Sequence, residues 1–337
     1  MKLFRIFSAA AAVAVASSAV AGPLVYEGAD GPGKGKSVVL IASDPEYKSE
    51  EALPELGRIL AKHFGFKCTV LFGVDKATGA ITPGNSNIPG TQALKDADLM
   101  VIFTRFQSLP ADQMNPIVDY LNRGGPVIGL RTSTHGFKFS KESPFAKYSH
   151  DYKGEDFTGG FGRQILGETW VGHYGPNHKS STRLDLVAEK SGHPILTGVK
   201  NVWVEIGAYN AYPIVGSEVL AMAQPLDGMN PDSPNDATKK PMPGAWVRTY
   251  KSASGKEGRV FCSTYGASGD LVNEGFRRML VNACFWTTGL EKQIKADSDI
   301  SIVGTYRPTW MNVNKRAAGM KPEDFAGFDS PIWPEAK

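Results

Sequence analysis

The sequence is poor in cysteine, with three in 337 residues, at positions 68, 262 and 284. An odd number cannot pair completely within one chain, and no two have the spacing of a zinc finger or of a Cys-x-x-Cys redox motif. We therefore expect all three to be buried small hydrophobic side chains. A disulfide between Cys262 and Cys284 stays open, because the sequence gives no geometry for the pair.

The net charge is also small, since 37 basic and 34 acidic residues leave a formal charge of +3. A near-neutral chain gives no electrostatic reason to expect nucleic acid or an anionic membrane as partner. A content of 42% hydrophobic and 21% charged residues is ordinary for a globular protein, which excludes a wholly disordered or collagen-like chain. The sequence has no internal repeats and, after residue 20, no apolar run long enough to span a bilayer.

The first residues have the pattern of a targeting signal. Lys2 and Arg5 form a short positive segment, an alanine-rich apolar stretch follows, and Ala19-Val20-Ala21 fits a signal-peptidase site. The apolar stretch is short for a membrane span. We expect a cleavable signal peptide at 1–21, cleavage after Ala21, a periplasmic or secreted mature protein and no stable membrane insertion after cleavage.

The first half of the remaining sequence alternates between strand-like and helix-like patterns. Continuous apolar runs are typical of strands buried on both faces, and apolar residues three or four apart indicate helices packed on such a sheet. The order strand, helix, strand, then strand, helix, strand, predicts an α/β fold with a doubly wound, mostly parallel sheet. We predict strands at 37–43, 66–73, 98–104 and 126–130, and helices at 50–64 and 110–122.

The second half is less regular. Residues 131–182 carry many glycines and aromatic residues with little periodicity, so we expect loop elaborations with short helices there. We predict one α/β domain over 22–290 and, because its tryptophans need a surface to pack against, a C-terminal extension over 291–337 packed on that domain. Short strands are expected near 183–188, 201–206, 217–223, 244–250 and 258–263, and a last helix at 271–287 capped by Asp270.

Polar residues follow three of the predicted strands, and ligands of an open parallel sheet bind outside the carboxyl ends of its strands. The turn after the strand at 126–130 holds five consecutive polar side chains, which we expect to lie outside the core. We predict that Arg131 and His135 in this turn are catalytic, whereas helix capping is the simpler role for the three residues between them. The candidates for substrate binding near these strand ends are Asp44, Glu46, Tyr47, Arg105 and Thr132.

A second polar segment, 168–179, contains a carboxylate, two histidines and two aromatic rings. Carboxylates and imidazoles transfer protons, and aromatic rings stack on the apolar face of a sugar, so this set of side chains suits carbohydrate chemistry. We predict that Glu168, His173 and His178 are catalytic and that Trp170 and Tyr174 bind substrate.

Two other interpretations of the histidines stay open. His135, His173 and His178 together would supply three ligands for a divalent metal such as zinc, although their spacing is not that of a helical zinc motif. Alternatively, 168–179 is a glycine-rich surface loop with solvated histidines. A further histidine, His150, is expected to be exposed. No cofactor follows with certainty.

These motifs, taken in order, resemble the ThuA-like (trehalose-utilisation) family. The resemblance is carried by residues 43–54, 126–135, 193–199 and 258–261 and by the final helix, and it extends over residues 37–290. It implies a flavodoxin-like fold similar to that of class I glutamine amidotransferases. It also implies a role in sugar catabolism that includes oxidised (3-keto) disaccharides.

The sequence departs from these relatives at two turns. Class I glutamine amidotransferases carry a nucleophilic cysteine after the strand that corresponds to 126–130, and this chain has none in that turn. We therefore do not expect glutamine hydrolysis by thiolate attack. Many members of the resembling family have a histidine after the strand that corresponds to 258–263, where this chain has Ser263-Thr264-Tyr265.

Site residues and resemblance together predict an exported enzyme that hydrolyses or eliminates the glycosidic bond of a keto-sugar. A keto group makes the neighbouring C–H acidic, so one positioned base and a cation suffice. His135 or His173 would be the acid/base, with Glu168 as its partner or as a second acid/base. Arg131 and Arg105 would stabilise an oxyanion. The alternatives are a non-catalytic carbohydrate-binding protein and a metal-dependent hydrolase; the expected partner is a small-molecule sugar, and a homo-oligomer stays open.

Overall fold

The computed structural model describes residues 22–176, 178–310 and 319–332. The predicted signal peptide at 1–21 lies outside these residues. Within them, no helix combines the length and the apolar character that crossing a bilayer requires. The described elements are β1 (Leu24–Tyr26), β2 (Ser37–Ser43), α1 (Ser49–Phe64), β3 (Lys67–Phe72), β4 (Leu99–Thr104), α2 (Ala111–Asn122), β5 (Val127–Leu130), β6 (His173–Tyr174), β7 (Thr182–Leu186), β8 (Val202–Val204), β9 (Ala208–Tyr209), β10 (Glu218–Pro225), β11 (Met242–Lys251), β12 (Glu257–Ser263) and α3 (Glu274–Thr287).

The main sheet has ten strands in the order β1-β3-β2-β4-β5-β12-β11-β10-β7-β8. Strands β3, β2, β4, β5 and β12 run parallel to one another, and the other pairs are antiparallel. Helices α1 and α3 pack on one face and α2 on the other. The predicted α/β, doubly wound, flavodoxin-like fold class is therefore confirmed, with the antiparallel strands as its extension.

Strand β2 illustrates why the parallel strands read as unbroken apolar runs. Val38 and Leu40 face the core formed with α1 and α3, whereas Val39 and Ile41 face the core formed with α2, and all four are completely buried. Helices cover both faces, so both sets of alternating side chains must be apolar. The parallel register brings the carboxyl ends of β2, β4, β5 and β12 to one edge of the sheet.

The three cysteines are free and buried, as expected. Cys262 on β12 belongs to the core on the α2 side, while Cys68 and Cys284 belong to the core on the opposite face of the sheet. A Cys262–Cys284 disulfide is thus not formed. Burial raises the pKa of all three thiols, which makes them poor nucleophiles.

The start of the last helix differs from the prediction. Helix α3 begins at Glu274, and Asn273 caps it by accepting the Phe276 N–H at 2.9 Å. Asp270 is not the cap, because its carboxylate is used one turn earlier, where it accepts two backbone N–H groups at 2.9 Å. A short 3₁₀-helix, Ser268–Val272, takes the place of the first two residues of the predicted helix at 271–287, whose end at Thr287 is as predicted.

Residues after α3 lie along α1. The Thr309 hydroxyl and N–H both donate to the Glu51 carboxylate, at 2.5 and 2.8 Å. The Val303 N–H donates to Glu55 at 2.7 Å. These bonds give partners to both oxygens of Glu51 and to one oxygen of Glu55, carboxylates that α1 buries. The domain boundary at residue 290 stays a prediction.

Candidate functional site

The turn after β5 is a 3₁₀-helix, Arg131–His135, at the carboxyl edge of the parallel strands. The expectation that its side chains lie outside the core is wrong, because none of the five is more than 3% exposed. They are buried with internal partners: Ser133 donates to the Ile102 carbonyl and Thr132 to the Asp44 carboxylate, both at 2.6 Å. Such bonds replace those to water, so a polar turn can lie inside the fold.

Arg131 lies at the bottom of the site. Its guanidinium donates to the carbonyls of Gly207 and Thr264, at 2.8 and 2.9 Å, and to the Tyr47 hydroxyl at 3.1 Å. It also stacks against the rings of Tyr47 and Tyr209, 4.5 and 3.7 Å from their centroids. Its φ of 40° is a strained value for a residue with a side chain, and such strain persists only where the surroundings impose it.

Asp44 is the carboxylate that organises the loop after β2. One oxygen accepts the N–H groups of Glu46 and Tyr47, and the other accepts the Thr132 hydroxyl. The side chain is completely buried, and burial raises its pKa. Asp44 therefore supports Tyr47 and the turn from below, while its predicted contact with substrate stays a prediction.

Above Arg131, six rings form a contiguous group that we call the ring cluster: Phe106, His135, His150, Trp170, His173 and Tyr209. His135 is its centre, with ring centroids 5.0 Å from Phe106, 5.1 Å from Trp170 and 6.3 Å from His150 and Tyr209. His135 and Tyr209 are buried, Phe106, His150 and Trp170 are half-buried, and His173 is exposed. The ring cluster thus leads from the interior to solvent.

The short ladder between β6 and β9 brings the second predicted segment to the first. His173 pairs with Tyr209 in this ladder, and their rings lie 5.4 Å apart. Gly162, which precedes the segment at 168–173, lies directly against the turn at 131–135. A Cβ at Gly162 would overlap the Thr134 carbonyl, so glycine permits this close approach. The turn at 131–135 and the segment at 168–173 therefore form one site.

Tyr174 does not join the ring cluster. Neighbouring residues of a strand point to opposite faces, so Tyr174 points away from Tyr209. Its hydroxyl accepts the Lys240 N–H at 3.1 Å, and Lys239 lies over its ring. His178 is exposed on the loop beyond.

Glu168 lies behind the ring cluster and is 2% exposed. Its carboxylate accepts Arg163 and the Thr169 N–H, both at 2.9 Å, and the N–H of Tyr212. Burial raises its pKa, opposed by these bonds. These three partners occupy both oxygens and include neither His135 nor His173, so the predicted acid/base pair with a histidine is not formed in this conformation.

The rim of the site is charged. Arg105, which follows β4, stacks on Phe106 at 4.8 Å, and its guanidinium lies 3.5 Å from the Glu46 carboxylate. Lys138 lies over the same ring at 5.9 Å. Phe106 has a φ of 51°, so its backbone, like that of Arg131, adopts the left-handed conformation. Arg105 and Glu46 are about one-third and one-fifth exposed, as groups that contact a ligand must be in part.

Burial lowers the pKa of all three histidines of the ring cluster, and it does so most at His135, whose pKa lies well below 6.5. Positive neighbours, Arg105 and Arg131, lower the pKa of His135 further. The imidazoles of the site are therefore neutral at pH 7.

A joint metal site for His135, His173 and His178 is not supported by their placement. Among residues 22–176, 178–310 and 319–332, no three His, Cys, Asp or Glu side chains are grouped to hold a metal ion.

Comparison with known proteins gives the family. The model of the ThuA family, described as trehalose utilisation, matches residues 80–287. The chain belongs to the ThuA family. A ThuA-like protein of Bacteroides uniformis is 12% identical over 77% of this chain and 93% of its own, with a TM-score of 0.45. One of Parabacteroides merdae is 12% identical over 83% and 98%, with a TM-score of 0.43. No protein of curated function matches.

The ThuA match divides the site. It includes the turn at 131–135, the segment at 168–173 and Tyr209, but it begins after β2 and α1. Asp44, Glu46 and Tyr47 are therefore placed by this structure and not by the family match.

Three residues of the candidate site were not predicted from the sequence. Phe106 directly follows Arg105 at the end of β4, so the rule that ligands bind at strand ends would have found it. His150 was expected to be exposed, which is wrong, because its ring lies 5.1 Å from Phe106 in the ring cluster. Tyr209 on β9 carries no sequence signal, since a two-residue strand has no periodicity.

Proposed function

We propose that this ThuA family protein is exported and processes a carbohydrate, a glycoside that carries a keto group, by acid/base chemistry at the ring cluster. The family description supports a sugar as the ligand. The observation that carries the proposal is the position of His135: a neutral imidazole at the carboxyl edge of the sheet, surrounded by aromatic rings, beside two cations. This is the arrangement that removal of a proton next to a carbonyl needs.

His135 is the base in this proposal. A nitrogen of its imidazole takes the proton from the carbon beside the keto group, and the electron pair moves to the carbonyl oxygen as an enolate. The enolate then re-forms the carbonyl. A C=C bond forms between the deprotonated carbon and the neighbouring carbon that bears the glycosidic oxygen, and the glycosidic C–O bond breaks. The leaving oxygen receives the proton from the imidazolium, so the imidazole returns to its neutral form.

Arg105 stabilises the enolate oxygen. Its side chain is 34% exposed, whereas Arg131 is completely buried and its guanidinium is bonded to two backbone carbonyls and Tyr47. Arg131 thus acts through Tyr47 and Tyr209, which it holds in place, and through its charge. Donors that are fixed before the reaction stabilise a developing negative charge most effectively.

Trp170 supplies an aromatic face for the sugar ring. It is half-buried, 5.1 Å from His135 and 5.9 Å from His173. A pyranose stacked on the indole would lie next to His135 at the bottom of the site and His173 at its exposed edge.

A non-catalytic carbohydrate-binding protein is the second candidate. It is favoured by Glu168, because both oxygens of that carboxylate are bonded to other parts of the protein. Sugar binding does not require a second acid/base, so this arrangement of Glu168 suits a binding protein.

Turnover of 3-keto-glucosides by the purified chain tests the proposal. His135→Gln should reduce kcat by about 100-fold or more, since a positioned base contributes at least that much. His63→Gln is the matched control, because His63 lies at the end of α1 and bonds the Ser301 carbonyl. Equal turnover by His135→Gln and wild type would refute the role of His135. Binding of the glucoside without any turnover by wild type would leave the carbohydrate-binding protein.

Export has its own test. N-terminal sequencing of the protein recovered from the periplasm or medium should begin at Gly22. Recovery of the full chain from the cytoplasm would contradict export and leave the chemistry unaffected.

A further inference from the structure

We propose that the sugar bound at the ring cluster carries an acidic group, a carboxylate such as that of a uronic acid. This inference rests on the proposed function and names the class of its substrate. Three independent features of the described residues lead to it: a buried cation without an ion pair, an excess of cations at the rim, and buried N–H donors without acceptors.

The buried cation is Arg131. Among the residues that the structure describes, no carboxylate forms an ion pair with its guanidinium, whose acceptors are two carbonyls and a hydroxyl. Of the buried carboxylates nearby, Asp270 compensates it only in part, because burial raises its pKa to about 7. Asp44 is bonded to Thr132 and to the loop after β2 instead. A buried charge without a counter-ion is costly, and a bound anion would relieve that cost.

The rim adds further positive charge. Arg105 and Lys138 lie on the ring of Phe106, and Lys138 and Lys153 are close enough to His150 to lower its pKa. The carboxylates that face the same region are Glu46, which pairs with Arg105, and Asp151. The three imidazoles between these groups are neutral, so cations outnumber anions around the ring cluster. Such a potential attracts and retains an anionic ligand.

The third feature is a set of buried nitrogens without partners. The Arg105 Nε and the Trp170 Nε1 always carry a hydrogen, and neither has an acceptor within the described part of the chain. The His150 Nε2 is likewise buried without a partner. These atoms belong to side chains arranged around Phe106 and His135. A buried donor without an acceptor is rare in a protein, and a carboxylate offers acceptors for several donors at once.

The positive charge has a second explanation, which is stabilisation of the enolate alone. The two explanations differ in the ground state: an enolate exists only during the reaction, whereas a substrate carboxylate is felt on binding. Binding of unreactive sugars therefore separates them.

The experiment compares methyl β-glucuronide with methyl β-glucoside by calorimetry on the full mature chain. The two sugars differ only in a carboxylate in place of a hydroxymethyl group, and neither has a keto group. We expect the glucuronide to bind about tenfold more tightly in low salt, and the preference to shrink as salt is added. Lys138→Gln should weaken binding of the glucuronide severalfold and leave that of the glucoside unchanged. Lys34→Gln, which removes an exposed lysine paired with Asp30, is the control.

Equal affinities for the two sugars would overturn the acidic substrate and leave the proposed function intact. A preference that Lys138→Gln does not reduce would also overturn it, because the rim would then not be the source. Failure of both sugars to bind would count against the acidic substrate and against the carbohydrate function together.

Discussion

Two segments were expected to supply the chemistry of this protein, the turn at 131–135 and the segment at 168–179, and they occupy very different environments. The turn is completely enclosed. Arg131, Thr132 and Ser133 bond to other parts of the fold, Thr134 bonds within the turn, and His135 packs against the rings above it. The described part of the segment is exposed or half-buried apart from Glu168, and its residues Trp170 and His173 belong to the ring cluster. The contrast separates residues that build the site from residues that face a ligand.

The physical reason lies in the strand ends. The carbonyl and N–H groups at the end of a buried strand need partners, and short polar side chains in the next turn provide them. A polar turn after an apolar strand therefore indicates hydrogen bonding at the edge of the core as much as it indicates catalysis. His135 is the exception in the turn, because its ring joins the aromatic group above it.

The largest loss of stability is expected from a substitution of Arg131. Arg131→Ala removes the guanidinium that donates to two buried carbonyls and to the Tyr47 hydroxyl, so the free energy of unfolding should fall by about 3–5 kcal/mol. Urea denaturation measures it. Arg105→Ala at the rim is the matched control and should cost less than about 1 kcal/mol. Equal losses in the two variants would erase the distinction between interior and rim.

Asp270, beneath the turn, makes stability depend on pH. Burial raises its pKa from 3.8 to about 7, so the folded state holds a proton that the unfolded state has already lost above pH 4. The contribution is complete below that pH and is lost as pH rises through 7. From pH 5 to pH 8, wild type should therefore lose about 2–3 kcal/mol more than Asp270→Asn. Parallel pH profiles for the two proteins would show that Asp270 is ionised in the fold.

Thr132 should show a smaller effect. Thr132→Val keeps the shape of the side chain but removes the donor to the buried Asp44 carboxylate. The loss of one such hydrogen bond should reduce the free energy of unfolding by about 1–2 kcal/mol. Thr288→Val, near the end of α3, is a control outside the site. A change below that of the control would indicate that Asp44 does not depend on the turn.

The smallest effect is expected at His178. It is exposed, so His178→Ala should change the free energy of unfolding by less than about 0.5 kcal/mol. It should also leave turnover of a keto-glucoside unchanged, whereas His173→Ala should reduce it. A loss of activity in His178→Ala as large as that in His173→Ala would bring the whole segment into the site.

The predictability of the molecule follows the same division. Strands β2 to β5 are buried on both faces, so their apolar runs gave nearly the observed bounds. The role of Arg131 could not be read from its sequence position, because its partners Gly207 and Thr264 come from distant parts of the chain. The ring cluster depends on the two-residue ladder β6–β9, which has no periodicity to detect. The metal-site alternative could not be decided from the sequence, because the spacing of histidines along a loop does not show which way their side chains point.

Hydrogen exchange into a keto-glucoside tests the central claim most directly. Incubated in D₂O with wild type, a 3-keto-glucoside should lose the NMR signal of the C–H beside its carbonyl much faster than in buffer, because His135 removes that proton. With a His135→Gln variant that has the same melting temperature as wild type, exchange should fall to the rate in buffer. Rapid exchange by His135→Gln, or none by wild type while the sugar is bound, would contradict the account of His135 as the base.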